Sequence, residues 1–174
     1  MESTIRDLCE RRSIRSYLPR PIEEEKLEKI LRAGTYAASG MGRQSARIVL
    51  VRDPATIAEL ERLNAAPLGD SARHTFYGAP CVAVVLADPE IGTWHSDGDL
   101  VMGNLMNAAH ALGVGSCYIY RAREVFDSPE GKALLRKWGI DERYVGVGHC
   151  LLGYAAGPLP EPKPRKDDYI TYIG

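Results

Sequence analysis

The sequence predicts a single domain in which α-helices alternate with β-strands, and three observations support that prediction. First, amphipathic segments with helical spacing and short apolar segments typical of strands follow one another along the chain. Second, hydrophobic residues make up 45% and charged residues 26% of the sequence, close to the average for globular proteins. Third, 174 residues are enough to bury one core of ordinary size. We therefore expect one domain over residues 1–174.

Two helices are expected near the N-terminus. Thr4 is placed to cap the first, which carries Ile5 and Leu8 on one face. The second is EEEKLEKILRAG, residues 23–34, which begins with acidic residues and has an apolar face. Gly34 is expected to end it, because glycine is common just after the last helical residue.

Strands and helices continue to alternate in the middle of the chain. RIVLV, residues 47–51, is expected to be a buried strand, and PCVAVVLAD, residues 80–88, a second strand. Between them, Asp53 and Pro54 are suited to cap and begin a helix. DGDLVMGNLMNAAHALG, residues 97–113, is apolar almost all round, which indicates a helix enclosed on most sides.

The last third of the chain is expected to form strand 115–120, helix 128–139 and strand 145–154. The tail that follows, GPLPEPKPRKDDYITYIG at residues 157–174, has four prolines between positions 158 and 164, which favour an extended backbone. It ends in YITYIG, which is rich in strand-forming residues. We expect an extended arm whose end adds a short strand to another sheet, and a frayed terminus is the alternative.

Charge and composition argue against several classes of function. The net charge of −1 leaves no basic excess for a general nucleic-acid binder. No apolar run reaches the roughly 18 residues that a membrane span needs, and the opening MESTIRDLCE lacks the apolar core of a signal peptide. The cysteines at positions 9, 81, 117 and 150 form no C-x-x-C pair, so we expect free thiols in a reducing cytoplasm and no metal site.

Three arginines stand within five positions just after the first helix. Arg11, Arg12 and Arg15 lie where cations favour the helix dipole, which is worth about 0.3–1 kcal/mol each, so a structural role is one interpretation. The other interpretation is an anion site, since three guanidinium groups with the hydroxyl of Ser13 among them can bind a phosphate.

A second basic cluster lies on the proline-rich tail. It contains Lys163, Arg165 and Lys166, and the prolines around it stiffen the backbone that carries it. The two clusters come from opposite ends of the chain, and we expect them to converge on one phosphate if the anion site is real.

Five segments together resemble a known family. Any one is a weak signal, but their order and separations resemble the flavin-dependent nitroreductases, specifically the small single-domain members. They are RRSIR (11–15), AASGMGRQSARIVLV (37–51), DLVMGNLMNAAHALGVGSCYI (99–119), VGHCLLGY (147–154) and PKPR (162–165).

The resemblance implies a fold, a cofactor and an assembly. The fold is α+β, a three-layer α/β/α sandwich with a central mixed sheet, here a core over residues 1–156 and an arm over residues 157–174 that wraps the partner subunit. The assembly is a homodimer with two identical sites at the subunit interface. Each site holds FMN tightly but without a covalent bond, and no nucleic acid or membrane takes part.

The resemblance also implies roles for individual residues around the FMN phosphate and ribityl chain. One segment grips the phosphate and reaches the ribityl chain and the pyrimidine edge, and the tail supplies a second phosphate clamp. The residues at the matching positions are Arg11, Arg12, Ser13 and Arg15 in the first segment, and Lys163 and Arg165 in the second.

Other segments match the parts of the family that meet the flavin ring. The turn containing Ala38, Ser39 and Gly40 resembles the one contributed across the ring by the other subunit, and Gln44 resembles the glutamine that follows it. The strand end resembles the segment packed against the ring, with a backbone N–H near Tyr120 or Arg121 facing the flavin N5. Its matching positions are Tyr118, Ile119 and Tyr120.

The sequence also departs from the family pattern. The family often has Pro at position 38, Asn at 42 and Pro-Trp at 45–46, where this chain has Ala38, Gly42, Ser45 and Ala46. Without the tryptophan, the site has more space at this wall. The departures therefore bear on which substrate is bound, and not on the cofactor. For the lysine that many relatives place near the flavin N1–O2 edge, Arg73 and His74 are both candidates.

The resemblance implies an oxidoreductase that takes hydride from NAD(P)H and reduces nitroaromatic, quinone or similar acceptors in a ping-pong reaction. No catalytic side chain is required, because FMN carries the difficult step. GVGSCY lacks the spacing of the G-x-G-x-x-G fingerprint, so no Rossmann domain is expected for the nicotinamide. The alternatives are another flavin reaction, namely ene reduction, dehalogenation or flavin reduction, and a non-catalytic protein that binds or stores flavin.

The sequence around each histidine predicts whether it lies in the core or at a substrate pocket. His110 lies in an apolar helix and His149 in a strand, so both are expected in the core. His95, beside Trp94 in an expected loop, is the better candidate for a substrate pocket.

Overall fold

The computed structural model describes residues 2–174, and this part of the chain contains six α-helices and four β-strands. The helices are α1 (Ser3–Glu10), α2 (Glu24–Thr35), α3 (Pro54–Ala65), α4 (Trp94–Ala111), α5 (Ala122–Asp127) and α6 (Pro129–Lys137). The strands are β1 (Ala46–Val51), β2 (Cys81–Ala87), β3 (Gly115–Ile119) and β4 (Val145–Gly153).

The four strands form one sheet in the order β1-β2-β4-β3, and each neighbouring pair is antiparallel. A parallel bridge between Ser13 and Ser116 lies beside this sheet, and the Ile14 N–H donates a 2.9 Å hydrogen bond to the carbonyl of Ser116. The basic segment 11–15 therefore runs alongside β3, and its position relative to the end of that strand is fixed.

Two apolar cores lie on opposite faces of the sheet. Along β2, Val82 and Val84 belong to the core packed by α3, α5 and α6, whereas Ala83 and Val85 belong to the core packed by α2 and α4. This alternation is the period of two that a strand covered on both faces requires. The result is three layers, helices on each side of a sheet, so the α+β sandwich implied by the resemblance is confirmed. The mixed sheet expected with it is corrected, because all neighbouring strands of the four-stranded sheet are antiparallel.

The cap predicted for α3 is confirmed, and two other helix boundaries are corrected. The Asp53 carboxylate accepts a 2.9 Å hydrogen bond from the Thr56 N–H at the start of α3. Thr4 is not a cap, because α1 begins one residue earlier, at Ser3. Gly34 lies inside α2 instead of ending it: a Cβ there would stand 2.8–2.9 Å from Leu105 and Ile48, so the glycine permits close packing.

Two further expectations differ from the structure. His95 lies in the first turn of α4, which begins at Trp94, so the loop expected there is wrong. Strand β1 was expected to be buried, but only Val51 is buried, Arg47 is exposed and the other positions are half-buried, because β1 lies at the edge of the sheet and pairs with β2 alone. No element was expected at residues 122–127, which form α5, a helix of six residues that is too short to show a periodic pattern.

The tail after Ala155 lies on the surface. Residues 156–174 contain no helix or strand, and their large apolar side chains are exposed, with Tyr172 88% and Ile173 93% accessible. The strand expected at YITYIG requires a second sheet and stays a prediction. Within residues 2–174, no helix combines the length and the apolar character that crossing a membrane demands.

Candidate functional site

A groove of about 890 Å³ lies between the segment after α1 and the proline-rich tail. The structure therefore brings together both basic clusters from opposite ends of the chain, as the sequence analysis expected. The predicted residues in its wall are Arg11, Arg12, Ser13, Arg15, Lys163 and Arg165.

The basic side chains of this groove have no acidic partners. In residues 2–174, none of its arginines and lysines forms an ion pair with an aspartate or a glutamate. The wall contains one carboxylate, that of Glu161. Several unpaired cations around one cavity produce a positive potential that attracts an anion.

Two of the arginines have distinct surroundings. The Arg12 Nη1 donates 2.8 Å hydrogen bonds to the carbonyls of Cys9 and Arg11, so this side chain fastens the end of α1. The Arg11 Nη1 is buried and donates to no described residue, and the buried Ser116 Oγ likewise has no hydrogen-bond partner. A buried guanidinium nitrogen without an acceptor is costly, and an anionic oxygen would satisfy it.

A second cavity of about 320 Å³ lies at the end of β3. Arg15 lies in the wall of this cavity and of the basic groove, so the two are neighbours. The predicted segment Tyr118, Ile119 and Tyr120 lines it. Arg121 also lines this cavity. So do Arg73 and His74, the two candidates for the flavin N1–O2 edge, which lie in the loop between α3 and β2.

The backbone turns sharply where β3 ends. Arg121 adopts a left-handed conformation with φ of 76°, and it forms the residue before α5. Its N–H donates no hydrogen bond to any group in the described chain. The cavity wall therefore contains an uncommitted backbone donor at the position expected from the sequence.

Asn64 fastens this turn, and sequence reasoning missed it. Its Nδ2 donates a 2.7 Å hydrogen bond to the Tyr120 carbonyl, while the Arg121 side chain donates 3.0 Å hydrogen bonds to the Asn64 Oδ1 and main-chain carbonyl. Asn64 is completely buried in the last turn of α3. An asparagine near a helix end is common in sequences, so no local signal distinguished it.

Tyr118 has a role in packing that is separate from the cavity. Its hydroxyl lies 2.9 Å from Asp99 Oδ1 and from the Val147 carbonyl, which joins β3, α4 and β4. Burial, together with the hydrogen bond to Asp99, raises the pKa of Tyr118 well above its ordinary value. A Cβ at Gly148 would stand 2.7 Å from the tyrosine ring, so this glycine makes room for it.

The turn at residues 37–44 lies at a third cavity, of about 330 Å³. Ala38, Ser39 and Gln44 line it, together with Ala46. None of these residues lines the basic groove or the cavity at β3, so within one protomer the turn is separate from both. Ala46 occupies the position where the family often has tryptophan, and its small side chain leaves part of this space open.

Asp97 holds this turn against α4, and it too was missed. Its carboxylate accepts hydrogen bonds from the Gly40 N–H at 2.9 Å, from the Ser45 hydroxyl at 2.7 Å and from the Thr93 hydroxyl at 3.0 Å. Burial acts to raise the pKa of Asp97, but these hydrogen bonds outweigh it and bring the pKa below its ordinary value. A Cβ at Gly40 would collide with Thr93, so glycine is required for this approach.

Of the two histidines expected in the core, His149 lies there, whereas His110 on α4 is only half-buried. His149 is completely buried against Phe76 with ring centroids 5.1 Å apart, and burial lowers its pKa to about 3, so it is a neutral core residue. His95 lies 3.2 Å from Asp99 on its own helix and lines none of the three cavities described. Across residues 2–174, no cluster of three His, Cys, Asp or Glu side chains is arranged to hold a metal ion.

Comparisons with known proteins agree on one family. The family model described as "Nitroreductase family" matches residues 8–154. An Archaeoglobus fulgidus protein with the provisional name NADH dehydrogenase/NAD(P)H nitroreductase is 32% identical over 176 residues, which cover 97% of this chain and 91% of the relative.

Two solved structures of nitroreductases with bound FMN are similar over the full length of both chains. The protein from Bacteroides fragilis has a TM-score of 0.92 and 28% identity, with 100% of each chain covered. The protein from Desulfitobacterium hafniense has a TM-score of 0.90 and 29% identity, again with 100% of each chain covered.

Proposed function

Because the chain belongs to the nitroreductase family, we propose that it uses bound FMN to take hydride from NAD(P)H and reduce nitroaromatic, quinone or similar acceptors. It is an FMN-dependent oxidoreductase, in keeping with the family and with the FMN-bound structures that resemble it. The class of acceptor and the ping-pong order of the reaction are the parts that we propose.

One observation carries the assignment of the cofactor site: unpaired basic side chains from both ends of the chain line one groove. A phosphate monoester carries about −1.5 to −2 charges at neutral pH and accepts several charge-assisted hydrogen bonds. Arg11, Arg15, Lys163 and Arg165 supply donors for such a group, and the buried Arg11 Nη1 has no other acceptor in the described chain. The residues present therefore fit the phosphate of FMN.

The neighbouring cavity at the end of β3 fits the flavin ring. When bound, FMN supplies the chemistry of accepting and donating a hydride. The chain contributes an uncommitted N–H at Arg121 and cationic side chains at Arg15 and Arg73, which stabilise negative charge on a bound ring. Tyr120, whose side chain is 65% exposed, lies at the open side of this wall, where a substrate has access.

We propose that the hydride donor NAD(P)H and the oxidised acceptor bind in the same cavity, one after the other. The cavity at β3 is small, about 320 Å³, and no Rossmann-type fingerprint precedes a helix to hold a dinucleotide separately. Oxidised nicotinamide must then leave before the acceptor enters, which gives ping-pong kinetics.

The active unit is proposed to be a homodimer. A single protomer exposes large apolar side chains on α1, on α4, on the turn and on the tail, and an interface with a second copy would cover them. They include Ile5, Leu8, Leu100, Met41 and Ile173. In our proposal the turn containing Ala38, Ser39, Gly40 and Gln44 covers the partner's flavin ring, which accounts for its distance from the same protomer's groove.

Anaerobic stopped-flow absorbance tests this function. We expect the purified protein to be yellow, to bleach rapidly with NADH or NADPH, and to regain its colour when a nitroarene or a quinone is added. A protein that keeps FMN but is not bleached by either nucleotide would contradict the oxidoreductase and favour flavin storage. Activated alkenes, aryl halides and free flavin as alternative acceptors distinguish the other flavin reactions.

A further inference from the structure

We infer that Asn64 is a positioning residue for the flavin cavity, acting through the turn at Tyr120 and Arg121; this inference rests on the proposed function. Asn64 is completely buried in the last turn of α3, and it does not line the cavity itself. The two residues that it holds do line the cavity. An effect of Asn64 on the cofactor must therefore pass through them.

Every polar atom of the Asn64 side chain is used in this contact. The Nδ2 donates to the Tyr120 carbonyl at 2.7 Å, and the Oδ1 accepts from the Arg121 Nη2 at 3.0 Å. The Arg121 Nε also donates to the Asn64 main-chain carbonyl at 3.0 Å. Three hydrogen bonds thus join a rigid helix end to two consecutive residues of the turn, over 56 and 57 positions of sequence.

The turn needs such support because of its backbone conformation. Arg121 has φ of 76°, in the left-handed region that side chains other than glycine, asparagine and aspartate rarely adopt. In that conformation its N–H lies outside the sheet and the following helix and has no partner among residues 2–174. The three hydrogen bonds between Asn64 and the turn, which we call the Asn64 clamp, therefore maintain a backbone N–H without an intramolecular acceptor in a residue that lines the cavity.

The clamp also affects the charge of the cavity wall. Arg121 forms no ion pair in the described chain, since its guanidinium group is bonded to the neutral amide and the carbonyl of Asn64. An aspartate at position 64 would still accept the hydrogen bond from Arg121, but it could not donate to the Tyr120 carbonyl, and it would neutralise that charge. The neutral amide thus leaves a fixed positive charge beside the flavin cavity, which favours the reduced, more negative cofactor.

Four variants and a control test the inference: Asn64→Leu, Asn64→Asp, Arg121→Gly, the double variant Asn64→Leu/Arg121→Gly, and the control Asn104→Leu. Glycine at position 121 tolerates the positive φ but removes both hydrogen bonds that the Arg121 guanidinium group donates to Asn64. Asn104 is half-buried on α4, donates a 3.0 Å hydrogen bond to the Ala33 carbonyl at α2, and does not line the cavity at β3. The readouts are the FMN dissociation constant, the midpoint potential of the bound flavin, and the melting temperature of the apoprotein.

We expect Asn64→Leu and Arg121→Gly each to weaken FMN binding roughly tenfold and to lower the midpoint potential. The loss of affinity in the double variant should be smaller than the sum of the two single losses, because both single changes remove the hydrogen bond between the Arg121 Nη2 and the Asn64 Oδ1. Asn64→Asp should lower the potential as well, through its charge and through the lost hydrogen bond to the Tyr120 carbonyl. Asn104→Leu should lower the melting temperature alone.

The outcomes separate this inference from the proposed function. If Asn64→Leu lowers the melting temperature as Asn104→Leu does, but leaves FMN affinity and potential at the wild-type values, Asn64 is merely structural and the inference is wrong. If the effects of Asn64→Leu and Arg121→Gly are additive, Asn64 does not act through Arg121. A wild-type protein that takes up no FMN contradicts the proposed function, and the inference with it.

Discussion

Arg11 is the residue whose surroundings say most about the ligand. Its side chain lies in the wall of the basic groove, and its buried Nη1 donates to no group in residues 2–174. Buried polar atoms are usually hydrogen-bonded in folded proteins, so an anionic oxygen is the acceptor that suits this guanidinium nitrogen.

Single substitutions of the groove arginines test this assignment. Arg15→Ala and Arg165→Ala should each weaken FMN binding roughly ten- to a hundredfold, because a lost charge-assisted contact costs about 1.5–3 kcal/mol. Arg47→Ala is the matched control, since Arg47 is an exposed arginine on β1 outside the groove. Fluorescence titration of the apoproteins with FMN measures the change. Equal affinities in all four proteins would remove these residues from the site.

Among the elements, the turn at residues 39–45 depends most on a single side chain. Asp97 near the start of α4 accepts hydrogen bonds from Gly40, Ser45 and Thr93. The turn contains two non-glycine residues with positive φ, Met41 and Gln44, and such a backbone persists only where its surroundings hold it. The position of the turn on α4 is therefore set by Asp97.

Removal of this carboxylate should loosen the turn and the fold. Asp97→Ala leaves the buried Ser45 hydroxyl and the partly buried Gly40 N–H without their acceptor, and we expect it to lower the free energy of unfolding by about 1–3 kcal/mol. Urea denaturation measures this. Asp127→Ala is the control: its exposed pair with Arg123, 3.5 Å apart, should contribute less than about 1 kcal/mol. If the free energy of unfolding falls by the same amount in the two variants, the Asp97 hydrogen bonds stabilise the fold no more than an exposed ion pair does.

The same carboxylate predicts a pH dependence. The pKa of Asp97 lies below its ordinary value in the folded protein, so its contribution to stability is present above the unfolded pKa of about 3.9 and is lost as the pH falls further. The stability difference between the wild type and Asp97→Asn should thus shrink on acidification below about pH 4. Denaturation series at several pH values measure it, and a constant difference would contradict the assigned hydrogen bonds.

These elements also show how far sequence reasoning reaches. The basic segments were found because each is a contiguous run of unusual composition, and the cap at Asp53 because its signal is local. Asn64 and Asp97 were missed because their hydrogen bonds join positions 56 and 57 residues apart, which no local pattern records. Helix α5 was missed because six residues are too few to establish a period.

At the scale of the whole molecule, several large apolar side chains lie exposed on the surface of the chain. Helix α1 exposes Ile5 and Leu8, and the tail exposes Tyr169, Tyr172 and Ile173. A tail with this composition gains little from lying in water, whereas an added strand on a partner's sheet would bury its apolar side chains. The proposed homodimer therefore gives the arm both a structural and a cofactor-binding role.

Truncation after Leu159 tests the two roles together. It removes Lys163 and Arg165 from the groove, and it removes the four large apolar residues near the end of the tail. We expect a protein that is largely colourless and a looser dimer, with added FMN restoring part of the thermal stability by mass action. Sedimentation and flavin absorbance on one sample measure both properties. A truncated protein that remains a tight, fully yellow dimer would contradict both roles and would favour the alternative, a frayed terminus.

The central claim is that the groove between the two ends of the chain holds the phosphate of the cofactor, and riboflavin tests it most directly because it is FMN without that phosphate. The measurement is a pair of titrations of the wild-type apoprotein, one with FMN and one with riboflavin. The account predicts that FMN binds at least ten- to a hundredfold more tightly, since several charge-assisted contacts depend on the phosphate. Equal dissociation constants for the two flavins would contradict it.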